Sequence, residues 1–423
     1  MYKISKLDNG LRVVTNNIAG VNSLSLGIWI NMGGRYENSL NKGISHFLEH
    51  LLFKGSAKYS CRLIKESIEG IGGALNGFTS EEFTCYLVKI PQRYWSLALG
   101  ILSDMVLNPS LKSGDIEKER SVILEELKMY RDLPQSYVYE LLDELLWPGQ
   151  PLGAPIIGTE ESLKGIGRKE LAAFQSSHYT PANIVISAVG KMDQGLLNKE
   201  IRAIFSQKAC AQKNTFLPVE SISQSKNKLK IFDKDTEQTH MAMGFSSLKR
   251  DHYLKHAQTL LHIILGANMS SRLFNEVREK RALAYEIATA VKKFFDTGAF
   301  LVHAGIDNRK AEDCLELVLK ELAKVKKNGV TKDEFRRAKE FYLGQLSLSL
   351  EDTMEHMLML GESMSSTGKL HSLADIIKEV NRVTLADLKD VARIIFRDGA
   401  INLALIGPLK TREKGILRRL SIA

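Results

Sequence analysis

The chain has 423 residues, of which 44% are hydrophobic and 25% charged, with a formal net charge of +9. That length is too great for one ordinary core and calls for two or more domains, and the composition is that of a globular protein rather than a disordered or fibrous one. Lys and Arg are spread along the chain without a dense cluster or stacking aromatics, so the charge reads as a solvated surface and gives no support to a nucleic-acid partner; no apolar run approaches the roughly 20 residues needed to span a membrane.

The N-terminus, MYKISKLDNGLRVVTNN, is polar and already strand-like, with no apolar signal region and no Arg/Ser-rich presequence, so a cytoplasmic, bacterial location is expected. Asp8-Asn9-Gly10 predicts a hairpin turn before a strand at Leu11 to Val14. Ser23 to Asn31 alternates with period two and predicts a second strand. From Gly43 to Phe53 the apolar spacing becomes helical, and Phe83 to Ile90 returns to strand. Trp95 to Leu107 and Gly114 to Arg131 predict helices, the second with acids near its start. Strands followed by runs of helices indicate an α+β architecture. The four cysteines, Cys61, Cys85, Cys210 and Cys314, are scattered without a CxxC pair, which favours reduced thiols.

An internal repeat sets the domain count. Glu170 begins a helix ending in HYTPANIVISAVG, and Asp387 begins one ending in FRDGAINLALIG; Glu170 to Gly190 and Asp387 to Gly407 both span 20 positions. A second echo pairs Ser60-Cys61-Arg62-Leu63 with Ser270-Ser271-Arg272-Leu273. Two homologous domains follow, each an antiparallel sheet flanked by helices, over residues 1–215 and 216–423. The polar stretch from Ser206 to Lys228 is the expected linker.

The most specific feature is His46-Phe47-Leu48-Glu49-His50 in the first predicted helix. Positions i, i+3 and i+4 share a helical face, so both imidazoles and the Glu49 carboxylate project together. Two His nitrogens at that spacing suit zinc, which in a catalytic site takes three protein ligands and keeps one position open. Glu49 then stands where it can take a proton from a water that zinc acidifies. Phe47 and Leu48 point away and are expected to anchor the helix.

His-x-x-Glu-His is the inverse of the HExxH pattern and marks the inverzincins. The stretch GGRYENSLNKGISHFLEHLLFKGS resembles the active-site signature of the M16 (insulinase/pitrilysin) metallopeptidases, above all the mid-sized bacterial members and the β-subunit of the mitochondrial processing peptidase. The resemblance spans essentially the whole chain, including GQPLGAPIIGTEESL. It implies a third ligand from a Glu about 75 residues beyond the second His. Glu126 follows His50 by 76 residues, within EKERSVILEELKMYRDLP. The similarity also implies a Glu seven positions earlier lining the site. Glu119 and Glu126 are two helical turns apart and share a face, whereas Glu125 points about 100° away. Glu126 is therefore assigned to the metal, one Zn2+ per chain, and Glu119 to a supporting role at the catalytic site.

By the same resemblance, Gly70 to Tyr86 is a glycine-rich turn and an exposed strand to which substrate adds as a further strand, with Gly73 and Ala74 allowing close approach and Asn76 offering an amide. Gly77 departs from the family, whose members often carry Ala there. The second domain has no HxxEH; near His256 it keeps one His, so no zinc is expected there. It does contain SSRLFNEVREKRALAY, which looks like the family's substrate-contacting segment, with Arg278 and Tyr285 as donors to the peptide; Arg272, Lys280 and Arg281 are expected on a solvated helix face. What the resemblance implies is a zinc-dependent endopeptidase acting on extended peptides inside a closed cavity, as a homodimer, with neither nucleic acid nor membrane as partner. The alternative is a non-catalytic structural relative, like respiratory-complex core subunits, but such proteins lose metal ligands and this sequence keeps them.

Overall fold

The turn at Asp8-Asn9-Gly10 forms as the sequence suggests: the Gly10 N–H donates to Leu7 O, and Gly10 takes φ +91°, a left-handed conformation that glycine adopts without strain. It joins β1 (Lys3–Lys6) to β2 (Arg12–Asn17) as a hairpin. The structure, a computed structural model, describes residues 2–206, 213–220 and 224–422. Cys210 and parts of the expected linker lie outside the described residues; Cys61, Cys85 and Cys314 are free thiols.

With β3 (Ser23–Ile30), β4 (Ala74–Thr79), β5 (Thr84–Pro91) and β6 (Ile184–Gly190), the first sheet has the order β1-β2-β6-β3-β5-β4. A second sheet of β7 (Lys228–Asp233), β8 (Gln238–Ser246), β9 (Ala284–Lys293), β10 (Gly298–Asp307) and β11 (Asn402–Gly407) has the order β7-β11-β8-β10-β9. The α+β expectation holds, with one correction: neither sheet is wholly antiparallel. β6 runs parallel to β2, and β11 parallel to β7. The reason is topological. Each of these strands returns from a helical run and inserts between two consecutive, oppositely directed strands, so it must be parallel to one of them. β6 and β11 are the strands of the sequence repeat.

The chain forms two compact units, one of Met1–Lys128, Pro155–Leu217 and Ser347–Ser372, the other of Met129–Ala154, Pro218–Leu346 and Leu373–Ala423. Compared with a single cut at residue 215, two segments change places, and burial shows why. On one face of β3, Leu24, Leu26, Ile28 and Ile30 enter the main core of the first unit. On the other face, Ser25, Gly27 and Trp29 are covered by the helix Thr353–Ser366 from late in the chain: the Ser25 and Thr353 hydroxyls are 2.8 Å apart, and the helix leaves only a glycine, Gly361, beneath the Trp29 indole. In the second unit, Met241, Met243 and Phe245 of β8 face the main core. Its other face is covered by a helix from the first half of the sequence, through Leu142 and Leu146 over Gly244. A sheet with two apolar faces needs a layer on each.

The first unit positions the site through four helices: α1 (Ile44–Leu52), α2 (Cys61–Glu69), α3 (Trp95–Leu107) and α4 (Ser113–Asp132); α5 (Pro134–Leu146) is the helix that covers the second sheet. Phe47, Leu48, Leu51 and Leu52 of α1 are fully buried, and Ile116, Ile123 and Leu127 form the buried stripe of α4. No helix among the described residues is long and apolar enough to cross a membrane.

Candidate metal centre

α1 starts abruptly. Gly43, at φ +87°, precedes it, and a side chain there would meet Ile157 O at 2.5 Å. The first amides of the helix are satisfied by Glu37, whose two carboxylate oxygens accept from the N–H groups of Gly43 (2.8 Å) and Ser45 (2.9 Å). Burial pushes the Glu37 carboxyl up to about 7, opposed by Lys42 and by those bonds. The sequence reading had not singled out Glu37; GGRYEN, six residues before a helix-starting Gly, was the available signal.

One turn on, His46 and His50 project from the same face with ring centroids 4.6 Å apart. Glu126, on α4, meets them: its Oε2 lies 3.9 Å from His46 Nε2 and 3.7 Å from His50 Nε2. These three residues form the one His/Cys/Asp/Glu grouping among the described residues with metal-ligand spacing, all ligand atoms lying within 4.8 Å of one another. A tetrahedral zinc with bonds near 2.0–2.1 Å has ligand atoms about 3.3 Å apart, so small side-chain rotations close the set. The donor types fit as well. His50 Nδ1 is engaged by Glu119 Oε2 at 3.2 Å, which leaves Nε2 for the ion. Burial, and then His50, push the His46 imidazole down to about 4, so it is neutral and able to ligate at neutral pH.

Glu49 is 8% exposed and lies on the same face. Its Oε2 accepts from the Thr79 hydroxyl on β4 at 2.9 Å, which fixes the carboxylate, while Oε1 lies against Gly77. Burial raises its pKa, countered by the Thr79 bond and by His50. A side chain on Gly77 would come within 3.2 Å of Glu49 Oε1 and 3.0 Å of the Phe53 ring. The departure from Ala at this position therefore leaves room around the acid. Thr79 was also not foreseen; its contact depends on strand pairing, which spacing does not reveal.

Glu119 is buried, and its second oxygen, Oε1, is 2.5 Å from Lys54 Nζ. Glu125 pairs with Lys128 in solvent, away from the histidines. On the turn before β4, a side chain on Gly73 would meet Ile68 O and Ile90 at 2.8 Å, so packing already accounts for that glycine. Ala74 and Asn76 are exposed on β4, which among the described residues pairs only with β5 and leaves its outer edge open. Asn76 Oδ1 accepts from the Gly77 N–H at 2.8 Å.

In the second unit, Arg278 lies on a π-helical turn, Phe274–Glu279, and Tyr285 on β9. The structure brings them together: the Arg278 guanidinium lies 5.3 Å from the Tyr285 ring centre and 4.8 Å from that of Phe274. Both line a cavity of about 660 Å³, and Tyr285 is 74% exposed. Arg272 corrects an expectation. It is not solvated but held in a two-pronged ion pair with Glu334 (2.5 and 2.7 Å), whereas Lys280 and Arg281 do lie outside, on Glu276. His256 finds an acid from far along the chain, Glu379, at 2.8 Å.

Known proteins resemble this chain over nearly its whole length. Residues 12–160 match the family model described as insulinase (peptidase family M16), and residues 165–342 match the M16 inactive domain. The chain is 36% identical over 408 residues to YmxG of Bacillus subtilis, described as an uncharacterized zinc protease, covering 96% of this chain and 98% of that one. The chain belongs to peptidase family M16. Another relative, an uncharacterized zinc protease of Streptomyces coelicolor, is 34% identical over 412 residues, covering 96% of this chain and 90% of that one. Among solved structures, a protease from Helicobacter pylori superposes with TM-score 0.92 at 23% identity, covering 96% of this chain and all of that one. The M16 inactive-domain peptidase of Pseudomonas fluorescens does so at 0.89 and 19%, covering 96% and 98%. At those identities the structures speak for the M16 fold.

Proposed function

We propose that this M16 protein is a zinc-dependent endopeptidase that hydrolyses extended peptides, with His46, His50 and Glu126 as ligands and Glu49 as general base. The observation that carries the reading is the convergence of His46 Nε2, His50 Nε2 and Glu126 Oε2 beside a carboxylate that is itself held in place by Thr79. A zinc ion held there supplies the Lewis acidity that brings a water into deprotonation range near neutral pH. Glu49 accepts that proton on the oxygen not committed to Thr79 and passes it to the departing amine. Its burial suits the first transfer, since a carboxylate whose pKa is raised is a stronger base toward the water. Glu119 holds His50 in the tautomer that leaves Nε2 unprotonated.

The open edge of β4 is the place for an extended peptide, whose backbone would pair with a strand beginning at Ala74, with Gly73 keeping the entry tight and Asn76 presenting its amide. Arg278 and Tyr285 are the proposed donors to peptide carbonyls, from the cavity they line in the second unit. The proposal includes a homodimer in the cytoplasm, which light scattering and cell fractionation check. Its chemistry is tested on the full-length protein. Incubation with a mixed peptide library should give internal cleavages that stop on chelation and return with about one equivalent of zinc. Undiminished cleavage by zinc-free protein would rule the reading out.

A further inference from the structure

Lys54 ends the motif HFLEHLLFK, two residues beyond α1, and its N–H closes the helix on Leu51 O at 3.0 Å. Its side chain is 32% exposed, yet its ammonium is held against the protein. It lies 2.5 Å from Oε1 of Glu119, whose side chain is 7% exposed, while the other oxygen of that carboxylate is 3.2 Å from His50 Nδ1. One buried carboxylate is thus shared between a lysine and an imidazole that faces the metal site. A buried charge without a counter-charge is costly and reorients toward water. Here, within the described contacts, Lys54 is the cation paired with Glu119, and a cation just past a helix C-terminus is also favoured by the helix dipole.

From this geometry we infer that Lys54 is a positioning residue of the metal centre: it pins Glu119 so that Glu119 pins His50 with Nε2 directed at the ion. The inference rests on the zinc reading above and extends it one residue outward. Nothing in the HxxEH spacing requires a lysine four positions after its second His; the link exists only because α4 carries Glu119 past the end of α1.

The test is zinc affinity, measured by competition with a chromophoric chelator on full-length wild type, Lys54→Met, Lys54→Arg, Glu119→Gln and the Met/Gln double variant, with thermal unfolding of each zinc-free protein as a check on folding. Lys54→Met should weaken zinc about tenfold or more, the scale seen for groups that orient ligands from behind. Lys54→Arg, which keeps the charge, should recover most of that loss. The double variant should bind no more weakly than Glu119→Gln alone, because both substitutions break one chain of contacts. If Lys54→Met does not fold, Lys54→Gln replaces it with the same expectation. Wild-type affinity in the Lys54 variant, or losses that simply add, would show an ordinary surface ion pair and overturn the inference while leaving the metal site standing. A wild-type protein that binds no zinc would instead bring down the reading on which it rests.

Discussion

The two units solve the same folding problem and differ in what they do with the solution. In both, a strand returning from helices inserts between two consecutive strands, and a helix from the other half of the chain covers the second face of the sheet. In both, a helix packs against the edge of the sheet: α1 on β4 and β5, and Lys255–Gly266 on β9. The first places His46, Glu49 and His50 on one face. The second carries His256 and His262, six positions apart and therefore about 120° apart around the helix. They turn to different partners, His256 to Glu379 and His262 Nδ1 to the Thr289 hydroxyl at 2.7 Å. The packing needs only an apolar stripe, which both helices have. The chemistry needs three polar positions in register, which one has.

That contrast can be broken at its strongest point. Glu49→Gln should lower peptide hydrolysis by on the order of 10²–10⁴-fold while zinc content stays at wild-type level. His256→Gln in the second unit should change neither. Equal losses in both, followed by kinetic assay and metal analysis, would mean the asymmetry has been misread.

The exchanged helices offer a sharper test of the shared architecture. Leu142→Ala removes a fully buried side chain of α5 from the second sheet and should cost about 2–5 kcal/mol. Gly361→Ala places a methyl about 2.0 Å from the Trp29 indole nitrogen, which is itself held by Ser187 Oγ at 2.9 Å, and should cost about 1–3 kcal/mol by overpacking. Denaturant melts of the two variants measure both. If either substitution is neutral, that helix is not needed to complete its sheet.

The smallest effects are in pH dependence, and the two units should have opposite slopes. Glu37, raised to about 7 by burial, binds more protons folded than unfolded, so its stabilising contribution is complete below about 4.5 and is lost as pH rises through 7. In zinc-free protein, the melting temperature of wild type relative to Glu37→Gln should fall between pH 5 and pH 8. His262, lowered to about 4 by burial and then Lys293, binds fewer protons folded, so stability falls as pH drops from 6.5 toward 4. Relative to His262→Gln, wild type should lose melting temperature over that acid range. Parallel slopes would contradict one of the two assignments.

Much of the site was legible because it is local. The i, i+3, i+4 spacing of His46, Glu49 and His50 is a property of any helix, and the seven-residue spacing of Glu119 and Glu126 put both toward the same side of α4 while leaving Glu125 to Lys128 and solvent. That α4 lies beside α1 is not local, and only the resemblance to M16 sequences suggested it. Thr79 and Glu37 escaped notice for the same reason: each acts across a pairing or a turn whose geometry no spacing encodes. Arg272 was misread because its partner, Glu334, lies 62 residues away.

Alternation and helical period determined where β2, β3, β5, α1, α3 and α4 would form, since those signals arise from side chains a few residues apart. The repeat Glu170–Gly190 and Asp387–Gly407 likewise announced two related sheets. Tertiary structure alone decided that β6 and β11 insert as the parallel partners, that α5 and Thr353–Ser366 change units, and that a lysine beyond α1 meets a carboxylate on α4. Those outcomes depend on which apolar faces remain uncovered once the sheets have formed, and that is settled by packing among distant segments.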